Sequence, residues 1–159
     1  MADFRIGDFG WGKKENNMNL PLEFYKSIVR YMPILCVDGI IMNDKAQFLL
    51  VKRNNEPLKN EWWIPGGRVY KGETLEKAFK RKMREEIGVD VEIMISLGYY
   101  EEQYPKSAQG IPVHTLSIVF SAVALSKDIV LDSQSSEYKW SKELPEKLRK
   151  IKPFNVYFK

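Results

Sequence analysis

The sequence is poor in the residues that build disulfides and soft metal sites. Among its 159 residues there is one cysteine, Cys36, and one histidine, His114. One cysteine excludes an internal disulfide and a Cys/Cys zinc site, and it fits a reducing compartment. One histidine excludes multi-histidine metal sites and the two-histidine zinc motif. Any metal is therefore held mainly by oxygen, which favours magnesium, manganese or calcium. Long apolar runs are missing too. The most apolar stretch, Met32 to Met42, is interrupted by Pro33, Asp38 and Gly39 and is too short to span a bilayer. Met1 to Asn19 is polar and Gly/Asn-rich, without a secretory pattern. A soluble cytoplasmic protein with no membrane partner is expected.

Excess charge of one sign is also scarce: 25 Lys+Arg against 21 Asp+Glu leaves +4. The densest basic stretch, Lys77 to Arg84, runs into Glu85-Glu86 and reads as a helix surface, so no nucleic-acid partner is expected. What is present is 44% apolar and 13% aromatic residues, enough for the core of one domain. That domain is placed at residues 20–159. Residues 1–19, with Phe4, Phe9 and Trp11 among glycines and asparagines, read as an arm that docks on its own domain or on a second subunit.

The pattern along the chain predicts a mixed sheet with few helices. Pro21 opens a short helix that ends at Pro33. Ile34 to Met42 and Gln47 to Lys52 form a hairpin, and Trp62 to Pro65 is a short strand entering a Gly66-Gly67 turn. Leu75, Ala78, Phe79, Met83 and Ile87 recur at helical spacing, with Gly88 just past the helix end. Val89 to Tyr104, bent at Gly98, and Val113 to Leu125 are long strands. Glu137 to Trp140 is a short one, and Ser141 caps a last helix reaching Lys150. The expected class is α+β, arranged as an α/β/α sandwich.

The segment Gly67 to Val89 carries the chemistry. A glycine pair lets backbone approach a ligand closely. In the helix that follows, Lys82 and Glu86 share a face, and Glu85 stands one position round the axis. A glutamate pair beside a backbone carbonyl suits a hard divalent cation. The same residues also fit a surface helix laced with Arg81–Glu85 and Lys82–Glu86 pairs. Spacing tips the balance. Gly67, five residues, Glu73, seven residues, Arg81, then Glu85-Glu86, Ile87 and Gly88-Val89 resembles the box of the Nudix hydrolases. The six fixed identities among these, Gly67, Glu73, Arg81, Glu85, Glu86 and Gly88, arise together by chance in roughly one chain of this length in a hundred thousand. The resemblance implies an α/β/α sandwich whose loop–helix–loop holds magnesium against a diphosphate.

One departure is informative. The Nudix pattern has Arg-Glu where this chain has Arg81-Lys82, and that glutamate is a metal ligand in typical members. An ammonium there swings the local charge by two units, so fewer metals are expected, one being enough. The GDP-mannose mannosyl hydrolases also dispense with that glutamate, and they cleave at the sugar's anomeric carbon. From about Leu20 to Trp140 the chain is similar to them, as in Leu49 to Arg53, Trp63 to Val69 and Asp132-Ser133-Gln134.

The resemblance implies that the Gly66 carbonyl, Glu86 and Gln134 hold one magnesium, with Glu85 beside them and manganese as a substitute. Arg53 and Arg68 would sit on the departing diphosphate, with Asp38 and Tyr104 on the substrate. The substrate is then a nucleoside diphosphate sugar or another nucleotide, and the assembly a homodimer. Those relatives keep a histidine after the loop glutamine to activate water, where this chain has Ser135. The remaining bases are His114, Glu137, Glu101 and Glu102. Without a base in reach, phosphoanhydride cleavage with Glu73, Glu85 and Glu86 near metal becomes the better expectation, or a non-catalytic nucleotide-binding module.

Overall fold

Ile34 to Met42 is apolar without alternation because the strand it forms, β1 (Ile34–Met42), is buried on both faces. The computed structural model describes residues 21–158, so the expected arm at 1–19 lies outside the described residues. On one side β1 pairs in parallel with β6 (Val113–Ala124), from Ile34↔Thr115 to Met42↔Val123. β5 (Val91–Tyr104) pairs antiparallel with the far edge of β6 and is bent by register shifts around Ile93/Ile95 and Ser96/Gly98, as Gly98 suggested.

The other side of β1 is shared. The hairpin partner β2 (Phe48–Arg53) meets β1 only at Met42↔Phe48, and then the two strands part. The chain from Trp62 to Arg68 fills the gap. Its first piece, β3 (Trp62–Trp63), pairs with β2, and its second, β4 (Gly66–Arg68), pairs with Cys36, Val37 and Asp38 of β1. The glycine pair expected as a turn is thus extended strand, because the free edge of β1 takes up its backbone groups. β7 (Ser135–Ser141) covers the outer edge of β2 and completes a mixed seven-stranded sheet.

The period of two along the strands builds a core on each face. Val37, Ile41, Leu49 and Val51 pack under Phe79, Met83 and Ile87 of α2 (Leu75–Ile87). On the opposite face Ile40, Leu50 and Trp63 pack under Leu148 of α3 (Glu146–Arg149) and Phe154 of α4 (Phe154–Tyr157). The result is the expected α+β sandwich with helices on both sides. α1 (Leu22–Tyr31) lies outside it and buries Val29 next to Ile34, Cys36 and Val113. No described helix is long and apolar enough to cross a membrane.

One expectation fails at the C-terminal end. Ser141 caps no helix. Its hydroxyl donates to the Glu143 carbonyl at 2.7 Å and accepts from the Glu143 N–H, closing a local turn. The helix waits for Pro145 to set its first residue, and a second short helix follows.

α2 has the ends that its sequence announces. The Thr74 hydroxyl accepts from the Lys77 N–H, and Gly88 closes the helix at φ 69°. A Cβ at Gly88 would lie 3.0 Å from the Val130 carbonyl oxygen and 2.9 Å from its Cβ. Gly88→Ala is therefore expected to lower stability by about 1–2 kcal/mol, from the left-handed backbone cost plus this contact. Urea denaturation will check this, with the midpoint falling and the slope unchanged.

Candidate active site

Where β1 and β2 part, a cleft of about 390 Å³ opens. Its floor is the glycine strand β4, and the missing side chains are what give it shape. A Cβ at Gly66 would lie 1.8 Å from Asp38 Oδ1 and 2.5 Å from the Val37 carbonyl oxygen. A Cβ at Gly67 would lie 2.5 Å from Lys82 Cε. One glycine thus admits a carboxylate from β1, and the next admits an ammonium from α2.

That ammonium organises the acidic end of the cleft. Lys82 Nζ stands 3.1 Å from Glu86 Oε1 and 3.3 Å from Glu85 Oε2. Glu86 Oε2 accepts the Gly66 N–H at 2.9 Å. Burial works against the Lys82 charge, but Glu86 and Glu85 outweigh it, so Lys82 stays protonated. Burial pushes the Glu86 carboxyl up, against the pull of Lys82 and the Gly66 N–H.

Behind this end lies a separate clamp. Arg81 grips Glu73 through Nε–Oε1 at 2.6 Å and Nη2–Oε2 at 2.8 Å, and it also donates to the Arg68 carbonyl and to Glu85. The Tyr70 N–H donates to Glu73 Oε2, and the Tyr70 ring lies under the guanidinium at 4.0 Å. Glu73 and Arg81 therefore fix the loop that enters α2, while Glu85 and Glu86 face the cleft.

Residues around the cleft fit one hard cation. Its oxygen donors would be Glu86, Glu85, the Gly66 carbonyl and the Gln134 side chain. The Gln134 amide nitrogen is engaged with Asp132 Oδ2 at 2.8 Å, which leaves the amide oxygen as the free donor. Two carboxylates against one ammonium leave one net negative charge, too little for two or three cations. Among the described residues no three His, Cys, Asp or Glu side chains converge as a metal cluster.

Eight of the nine site residues expected from sequence line this one cleft: Asp38, Arg53, Gly66, Arg68, Glu85, Glu86, Tyr104 and Gln134. His114 does not. On β6 the alternation turns Val113, Thr115 and Ser117 toward the cleft, so His114 faces a second cavity. Its Nε2 is buried without a hydrogen-bond partner, 3.8 Å from Glu101 Oε2. Ser135 pairs with Arg53 across the strands and is not among the cleft residues.

The structure adds residues that the sequence did not single out. Tyr100 donates to Asp38 Oδ2 at 2.6 Å, and Ser117 also bonds that carboxyl. Tyr25 of α1 carries the Arg68 guanidinium over its ring at 4.3 Å. No local motif announces either contact, since each joins elements far apart in sequence.

Asp38 is buried, and desolvation raises its pKa despite those two bonds and the charges of Arg53 and Lys82. A folded-state pKa above the unfolded value of about 3.9 contributes stability at lower pH and loses it as pH rises through the folded value. The stability of the native chain minus that of Asp38→Asn is therefore expected to fall between pH 4 and pH 8. Urea denaturation of both proteins across that range will measure it, and a pH-independent difference would contradict the assignment.

Comparison with known proteins gives a consistent picture. The NUDIX domain pattern matches residues 32–154. The low-salt glycan biosynthesis protein Agl8 of Haloferax volcanii is 38% identical over 122 residues, covering 76% of this chain and 78% of that protein. The ADP-ribose pyrophosphatase of Methanocaldococcus jannaschii is 41% identical over 88 residues, covering 55% of this chain and 49% of its own length. The crystal structure of a MutT protein from Methanosarcina mazei Go1 matches with a TM-score of 0.62 at 27% identity, over 79% of this chain and 88% of that one. With the pattern matched over most of its length and the fold shared with these proteins, the chain belongs to the Nudix hydrolase family.

Proposed function

We propose that the chain is a magnesium-dependent hydrolase of a nucleoside diphosphate sugar, releasing the nucleoside diphosphate and free sugar by attack of water at the anomeric carbon. The observation that carries this reading is the double ion pair of Lys82 with Glu85 and Glu86. It halves the negative charge that a multi-metal phosphorus attack needs, and it leaves donors for one ion. When bound, magnesium, or manganese in its place, supplies positive charge to a departing diphosphate.

Two guanidiniums complete that task. Arg53 Nε is held by the Pro57 carbonyl at 2.8 Å, and Arg68 is held over Tyr25, so both reach the cleft with their orientation already restricted. Planar guanidinium forks match phosphate oxygens, and their charge-assisted bonds strengthen as the leaving group gains charge. The sugar chemistry in the name of the Haloferax relative points the same way.

A second reading is phosphoanhydride cleavage of an NDP-sugar or a nucleoside triphosphate. The similarity to an ADP-ribose pyrophosphatase and the half-exposed Glu85 carboxylate favour it.

Turnover of GDP-mannose and UDP-glucose with magnesium in oxygen-18 water separates the two, while ADP-ribose, whose diphosphate is joined to C5 of the ribose and not to its anomeric carbon, is a substrate for the second reading alone. The first reading expects the label in free sugar; label in a phosphate, with a nucleoside monophosphate released, favours the second. Glu86→Gln is expected to lower kcat by about 100-fold or more, through loss of a donor to the cation. Arg53→Ala is expected to lower kcat/KM by about 10- to 100-fold, the worth of a charge-assisted phosphate contact. Steady-state kinetics on the same substrates will check both.

A further inference from the structure

We propose that Glu102 is the general base that takes the proton from the attacking water, an inference that rests on the sugar-carbon reading above. The residue that stands where the relatives keep a histidine is Ser135, outside the cleft, and His114 faces away from it. The base must therefore be one of the carboxylates in the cleft.

Most of these are already committed. Asp38 is buried and accepts hydrogen bonds from Tyr100 and Ser117. Glu85 and Glu86 are ion-paired with Lys82. Glu102 is different. It stands on β5, where alternation turns Tyr100, Glu102 and Tyr104 into the cleft and Glu101 and Gln103 away from it. Its Oε2 accepts the Tyr104 hydroxyl, and its other oxygen remains for a water. A strand residue held by a neighbouring hydroxyl is a fixed base, which proton transfer requires.

The charged and titratable groups facing Glu102 are Asp38 from β1, Arg53 from β2, and Tyr100 and Tyr104 on its own strand. Burial and Asp38 raise its pKa, while the Tyr104 bond and Arg53 hold it back; the balance is upward. A carboxylate whose pKa is raised is a stronger base once ionised.

In the step itself, a water O–H bond breaks and its proton goes to the Glu102 carboxylate. The water oxygen forms a bond to the anomeric carbon. The bond from that carbon to the phosphate oxygen breaks, and its electron pair leaves on the nucleoside diphosphate. Glu102 then releases the proton to solvent. One water is consumed, and one nucleoside diphosphate, one sugar and one proton are produced.

The experiment uses the full chain with magnesium on GDP-mannose and UDP-glucose, in which the diphosphate is joined to the anomeric carbon. Glu102→Gln is expected to lower kcat by about 100- to 10,000-fold and to erase the acid limb of the pH profile. Its KM is expected to stay within about threefold of wild type. Sodium azide, a nucleophile that needs no deprotonation, should restore turnover to Glu102→Gln and give the glycosyl azide.

Two further variants keep the test open if Glu102→Gln folds poorly. Glu102→Asp should retain the acid limb at a lower rate. Tyr104→Phe removes a bond that favours the ionised form, so the acid limb should move to higher pH.

The proposal is overturned if Glu102→Gln keeps wild-type kcat and acid limb while Glu86→Gln is inactive. It is equally overturned if Glu56→Gln, at another carboxylate lining the cleft, takes the loss instead. Label in a phosphate defeats the sugar-carbon reading alone, and the Glu102→Gln comparison still decides the base. A wild-type chain that turns over neither sugar nucleotide overturns both.

Discussion

Two adjacent residues without side chains set the geometry of the cleft. β4 lies against β1 at Cys36, Val37 and Asp38, and its glycines leave the space that Asp38 and Lys82 enter from opposite sides. Any Cβ at Gly66 would collide with a carboxylate and a carbonyl, and at Gly67 with the stem of a buried lysine. The strand therefore acts as a thin partition. It brings a buried carboxylate from the sheet and a buried ammonium from the helix close to the same backbone segment, with the Gly66 N–H tied to Glu86.

The charge arrangement on α2 follows from that partition. A lysine confined between Gly67 and the glutamates has only a short reach, and it meets Glu86 one turn on and Glu85 beside it. Meanwhile Arg81 is drawn the other way by Glu73 and the Arg68 carbonyl. One short helix thus sorts its residues by direction. Those facing the entry loop hold the fold, and those facing the cleft line the space a ligand would enter. Desolvation is the shared cost at Asp38, Glu86 and Glu102, and each offsets it with a different donor: a tyrosine and a serine hydroxyl, a lysine with a backbone amide, or a single tyrosine hydroxyl.

Much of this was legible in the residues. The stripe Leu75, Ala78, Phe79, Met83 and Ile87 specifies the face of α2, and Thr74 and Gly88 its ends, because local signals decide them. The unbroken apolar run of β1 reads as a strand buried on both faces. Eight of the nine site residues that the family resemblance implied come together in one cleft. What was not legible depends on partners remote in sequence. Gly66 and Gly67 look like a turn until the free edge of β1 is known. Tyr100 meets Asp38 through two intervening ladder pairings, and Tyr25 reaches Arg68 from a helix outside the sandwich. His114 went astray by one position: the period of two sends it to the opposite face from Val113 and Thr115.

The parallel ladder between β1 and β6 has a consequence for how the molecule comes into being. Ile34 pairs with Thr115 and Met42 with Val123, so the central seam joins the beginning of the domain to a strand far down the chain. Closing so long a loop precedes any reward from the contacts it makes, and parallel pairings of this kind form slowly. Both walls of the cleft hang on that seam, Asp38 from one strand and Ser117 from the other. During synthesis the residues of the box helix emerge well before those of β6, so the cavity that gives their charges a purpose can form only after the strand that closes the seam has been made.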